Sequence, residues 1–135
     1  MTTPDLGPAR PTRLGRVAIL LTAVVGLGAL SIDMFLPSLP ALARAYATSP
    51  ATAQLTVTLF LAGLAPAQLV WGPLSDRFGR RRTLITGLGL YAAAGLGCAL
   101  APSIRALVAA RVLQAFGAGS GQVISRAIVR DVYAR

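Results

Sequence analysis

The chain of 135 residues is 55% hydrophobic and 13% charged, with a mean hydropathy of +0.68; that is about half the charge share of a soluble globular domain. Its net charge of +9 comes from thirteen basic residues, all Arg, set against four Asp. With no His, a single Cys and so few acids, His-based catalysis and metal sites have almost no raw material, so neither enzymatic activity nor a cofactor is expected.

Residues 1–16 are polar, basic and Pro-containing, and read as a short cytoplasmic tail, disordered over its first part. Four apolar stretches follow: Val17 to Leu36, Thr52 to Trp71, Leu84 to Ala101, and Ala106 to Ser125. Each is close to the roughly 20 residues that cross a hydrocarbon core as a helix. The fold class is therefore all-α, a polytopic transmembrane helical protein with residues 17–135 as its membrane part. The first stretch is too long for the apolar core of a cleaved signal peptide. Pro37 and Pro40 are expected to end the first helix, Pro50 to precede the second, and Pro102 to divide the third from the fourth.

Ten of the Arg residues lie in the tail, in the connection from Arg77 to Arg82, and at the C-terminal end. The first and third connections hold only Arg44 and Arg105, with Arg111 just inside the fourth span. That asymmetry places both ends on the cytoplasmic side of a cell's inner membrane and gives the basicity a topological origin, so no nucleic-acid partner is expected.

Within the spans, glycines recur, and Gly117 with Gly121 forms a GxxxG pair suited to close helix packing in lipid. Cys98 lies inside an apolar run and reads as a small packing residue. Gln68 is expected to join helices, Gln54 to join helices or to reach a substrate cavity, and Pro66 to bend the second helix.

The connection after the second span reads Gly72-Pro73-Leu74-Ser75-Asp76-Arg77-Phe78-Gly79-Arg80-Arg81-Arg82. Asp76 falls at the C-terminal end of its helix, where the dipole disfavours a carboxylate, so its stabilising partner should come from elsewhere. Arg80 is one candidate. Gly79 permits a tight turn, and the Arg cluster can meet anionic lipid headgroups. With this segment the chain resembles the major facilitator superfamily, whose signature between the second and third helices has this Gly, the Asp-Arg pair and Gly-Arg-Arg. The resemblance implies a gating network at the cytoplasmic side of Asp76, Arg80 and the acid after the fourth helix, here Asp131, that holds an outward-open state.

The fourth span carries Arg111-Val112-Leu113-Gln114-Ala115-Phe116-Gly117, similar to the superfamily's Arg-x-x-Gln-Gly pattern except that Ala115 replaces the first Gly. Arg111 and Gln114 share a helix face, and an Arg within a span must snorkel, be paired, or look into a polar cavity or a partner helix. The resemblance gives Arg111 a part in proton coupling. Asp33 is the only acid inside an apolar run, roughly 24 Å along the first helix from Val17, and is a candidate for carrying a proton.

The segments Ile32 to Pro40, Gly72 to Arg81 and Arg126 to Asp131 are together similar to the Bcr/CflA branch of drug and proton antiporters. That resemblance implies a drug-like small-molecule cargo, a proton gradient as the energy source, and a twelve-helix fold of which this chain is the N-terminal four helices, working with C-terminal helices of the same transporter. Two other readings stay open. One is a self-contained four-helix exporter acting as a dimer; the other is a membrane-embedded interaction subunit that does not transport.

Overall fold

A computed structural model describes residues 13–133. Along them run α1 (Arg13–Asp33), a single 3-10 turn (Leu36–Ser38), the short α2 (Leu39–Ala45), then α3 (Pro50–Phe78), α4 (Arg80–Ala99) and α5 (Ile104–Tyr133), with no strand among the described residues. The expected tail lies outside the described residues up to residue 12. Residues 13–16, read above as its last part, form the first turn of α1.

Local chemistry sets most of the boundaries. Ser49 accepts the Thr52 amide on its side-chain oxygen at 3.2 Å, and Pro50 fills the first helical position, where a missing amide costs nothing. Pro37 and Pro40 do not open a loop after α1 as expected: each sits in the first turn of a new helical segment. In the same way Pro73 does not end α3, which continues to Phe78. The eleven-residue connection from Gly72 to Arg82 therefore collapses to Gly79 alone. That residue has φ 90 and ψ 145, a backbone conformation that a side chain would strain, and it is the whole turn between α3 and α4.

α5 is the centre of the bundle. It packs most extensively against α4 and α3, and less against α1. Its neighbours are read from where its small residues sit. Ala115 and Gly119 face Gly63 and Ala67 of α3; Ala110, Gln114, Gly117 and Ser120 face Gly97, Gly95, Tyr91 and Gly87 of α4; Ala118 and Gln122 approach Gly28 of α1, and Gly121 approaches Val24. Numbers that rise together make α3 parallel to α5, and numbers that run oppositely make α4 and α1 antiparallel to it. Gly117 and Gly121 thus do not act as one GxxxG pair. Gly117 lies against α4 and Gly121 against α1, because those two helices share one side of α5 at different heights.

Two stretches, Gly15–Ala45 and Pro50–Phe78, are long and apolar enough to cross a membrane by length and composition, with mean hydropathies of 2.2 and 1.5. α4 and α5 do not pass that measure; three Arg open α4, and Arg105, Arg111 and Arg126 interrupt α5. The outer surface is apolar where a water-soluble bundle would be polar: Ile19, Leu20, Met34, Leu69, Leu96 and Leu100 all lie largely exposed.

A methyl group at position 117 would lie 2.5 Å from the Tyr91 amide nitrogen and 2.8 Å from the Gly87 carbonyl, backbone atoms that cannot step aside, whereas position 89 has open space. Gly117→Ala is expected to destabilise the bundle by about 1–3 kcal/mol, and Gly89→Ala to leave it unchanged or slightly firmer. Reversible unfolding in mixed detergent and SDS micelles measures both; equal stability of the two variants would contradict this packing.

Candidate functional site

Two arginines organise the polar groups of the bundle, one enclosed in its interior and one at the end where α3 turns into α4. The interior one is Arg111, only 2% exposed on α5. One terminal nitrogen donates to the Gln114 side-chain oxygen at 2.7 Å, one turn along the same helix. The other donates to the backbone oxygen of Ser31, in the last turn of α1, at 3.4 Å. The plane of the guanidinium faces two aromatic rings, Phe35 at 4.1 Å and Phe60 at 4.3 Å. The Nε donor is buried without a partner.

Burying a guanidinium costs roughly several kcal/mol unless its surroundings compensate. The compensation here comes from rings, one amide and a carbonyl at the negative end of the α1 dipole. Among the described residues no carboxylate pairs with Arg111. It does not snorkel to a surface, one of the options open in the sequence.

Around it the polar contacts continue into α4. Gln114 also lies 3.8 Å from the Cys98 sulfur, which gives the thiol a weak polar contact beyond simple packing. Tyr91 hydrogen-bonds the Ser31 hydroxyl and lies 3.3 Å from the Leu27 carbonyl, tying α4 to the same stretch of α1. Asp33 is not part of this cluster. It ends α1 with an exposed side chain that makes no hydrogen bond or ion pair among the described residues.

The second node is Arg80, the first residue of α4. Its guanidinium meets Asp76 at 2.6 Å, Asp131 at 3.3 Å and the Ser75 hydroxyl at 2.6 Å, while Ser75 in turn donates to the Gly72 carbonyl at 2.8 Å. All three charges stand at helix ends that the backbone dipoles disfavour. Asp76 is in the last turn of α3, Asp131 in the last turn of α5, and Arg80 at the start of α4. Each charge apart from the others would be penalised, so mutual pairing is what makes all three tolerable together.

The rest of the motif stays outside this contact. Arg77 lies over the ring of its neighbour Phe78 at 5.5 Å, and Arg81 is exposed like Arg82. Gly72 has open space where a side chain would project. Gln68, expected to join helices, makes no such bond. It is exposed at the rim of a hollow of about 490 Å³ shared with Asp76, Arg80, Arg126 and Arg130. Gln54 is exposed as well and borders a separate hollow with Leu39 and Arg44.

Four site residues escaped the sequence reading: Ser31, Phe60, Ser75 and Tyr91. Phe35 stood in a quoted segment without a role. Ser75 alone carried a usable signal, since it directly precedes Asp76 and lies five residues from Arg80.

Residues 19–135 match the model of the Major Facilitator Superfamily. The chain belongs to that superfamily. As a superfamily member it is a polytopic helical membrane protein, which accounts for the apolar surface of the bundle. It is 49% identical over 125 residues to an uncharacterised MFS-type transporter, YdgK, of Bacillus subtilis, covering 91% of this chain and 31% of that protein. It is 41% identical over 121 residues to a chloramphenicol resistance protein of Pseudomonas aeruginosa, covering 90% and 29%. It is 37% identical over 118 residues to the multidrug resistance protein MdtL of Escherichia coli, covering 87% and 30%. The chain thus spans about 30% of the length of these curated relatives. No solved structure gives a significant match.

For this superfamily member, the Arg80 node makes a pairwise coupling measurable. Asp76→Asn and Asp131→Asn are each expected to cost about 0.2–1 kcal/mol of stability, with a double-mutant coupling between them that disappears in an Arg80→Ala background. Unfolding at low and high salt reads it; a coupling that survives the loss of Arg80 would contradict the bridge.

Proposed function

We propose that these helices work in a proton-coupled exporter of drug-like small molecules, in a cell's inner membrane, with both ends of the chain on the cytoplasmic side. The observation that supports this best is the enclosure of a charged side chain, Arg111, in an apolar bundle, close to an unpaired acid, Asp33, at the end of the adjoining helix. Charges inside membrane helices are expensive and mark transport paths more often than packing. The printed names of two relatives, for chloramphenicol and for multidrug resistance, point to the same kind of cargo.

In this reading Asp33 takes up and releases the proton, while Arg111 and Gln114 line the path that the proton and the cargo use. The Asp76, Arg80 and Asp131 bridge closes the cytoplasmic end. Its three contacts hold α3, α4 and α5 together there, and breaking it releases charges that their helix dipoles disfavour, so opening and closing that end has two distinct states. Exposed Arg81 and Arg82 meet anionic lipid headgroups at the same surface. No chemistry is performed on the cargo, and the proton gradient is the only energy source.

The test is a chimera in which this chain replaces the corresponding segment of the Pseudomonas aeruginosa chloramphenicol resistance protein. The chimera is expected to confer chloramphenicol resistance on a sensitive host. An Asp33→Asn version should insert equally well, by quantified fluorescent fusion, yet give only the resistance of cells without the carrier. A chimera that inserts normally but gives no resistance would count against drug export, and full resistance with Asn at position 33 would remove Asp33 from the mechanism.

A further inference from the structure

The interior arginine has an unusual set of neighbours. Every element packed on it contributes something, yet none contributes a negative charge. α1 offers the Ser31 carbonyl, the segment after α1 offers the Phe35 ring, α3 offers the Phe60 ring, and α5 offers Gln114, which the Cys98 thiol of α4 also touches. The two rings lie at 4.1 and 4.3 Å from the guanidinium carbon, well within the ~6 Å over which a ring face attracts a cation. Phe60 is fully buried and Phe35 half-buried, so water screens neither contact strongly.

We propose that Phe35 and Phe60 are positioning residues that hold Arg111 charged and fixed in the bundle, their ring faces serving in place of a carboxylate counter-ion. A bare cation in an apolar interior has two cheaper alternatives, losing its place to reach water or recruiting an acid. The rings make both unnecessary. Two hydrogen bonds fix the ends of the guanidinium while the rings fix its plane, so its orientation is set even though Nε has no acceptor. One consequence bears on the export reading: Asp33 is not tied up as a counter-ion and stays free to exchange a proton. The stack itself does not depend on export, and its test reads stability, so failure of either leaves the other standing.

Fluorine atoms on a phenyl ring draw electron density from its face and weaken cation binding with little change in size. The full chain is made with phenylalanine, difluoro- or trifluoro-phenylalanine at positions 35 and 60, and unfolded reversibly in mixed micelles. A graded loss of the folded-to-unfolded ratio is expected, roughly tenfold when both rings are trifluorinated, and no gradation in an Arg111→Met background. A flat series with Arg111 present, or the same slope with Met at 111, overturns the proposal. Because Arg111→Met removes a central side chain and could prevent folding, a second pair uses the native arginine. Phe35→Tyr keeps the ring face and should retain stability, while Phe35→Leu fills similar space without one and should lose it; equal behaviour of Tyr and Leu also overturns the proposal.

Discussion

The bundle depends on a single enclosed cation. Arg111 reaches from α5 to the last turn of α1 and lies between a ring that follows α1 and a ring of α3, so three parts of the chain must be in register before it can be buried at all. A misplaced helix would leave a guanidinium in hydrocarbon with too few partners, at a cost of several kcal/mol or more. Packing in lipid gains little from one apolar side chain meeting another, so a polar constraint of this kind discriminates between arrangements that apolar contact alone would leave close in energy.

Close approach makes that constraint reachable. Gly117, Gly119 and Gly121 bring α4, α3 and α1 onto the surface of α5, and Trp71 locks α3 to α5 by donating to the Phe116 carbonyl at 2.7 Å while its ring tilts against Phe116. α1 is held least tightly, by its contact with α5 and the Ser31 and Tyr91 hydroxyls, and most of its apolar surface faces outward. The same logic repeats at the other node with opposite emphasis. Arg111 is a cation made tolerable by neutral groups, whereas Arg80 is made tolerable by two acids that themselves need it. The first arrangement is enclosed and the second is half exposed, which suits a fixed support and a breakable latch respectively.

Much of this could be read in the residues, and the limits of the reading are physical. The helical class follows from long apolar runs, and Asp76 announced its need for a partner because a carboxylate at a helix C-terminus is disfavoured. The reach of Arg80 to Asp131 came only from the family pattern, since fifty-one positions separate them and no periodicity connects them. Proline misled the boundaries. Pro37, Pro40 and Pro73 read as breaks, yet the first two open helical turns and the third rides inside α3. Gly117 and Gly121 read as one interface because spacing shows that two residues share a face but not how many helices share that face. Phe35 and Phe60 were invisible as partners of Arg111, because a ring in an apolar run looks like packing until the helix opposite it is known.

Nitrogen-15 NMR of the arginine side chains, recorded in lipid nanodiscs with a soluble paramagnetic chelate and then with a spin label deep in the acyl chains, tests the enclosure of Arg111 most directly. The account expects its Nε–H signal to exchange slowly with water and to survive both probes, while those of exposed Arg77 and Arg81 exchange quickly and are quenched by the soluble chelate. Quenching of Arg111 by the acyl-chain label would put it against lipid, and quenching by the chelate would put it at the surface; either result contradicts the account.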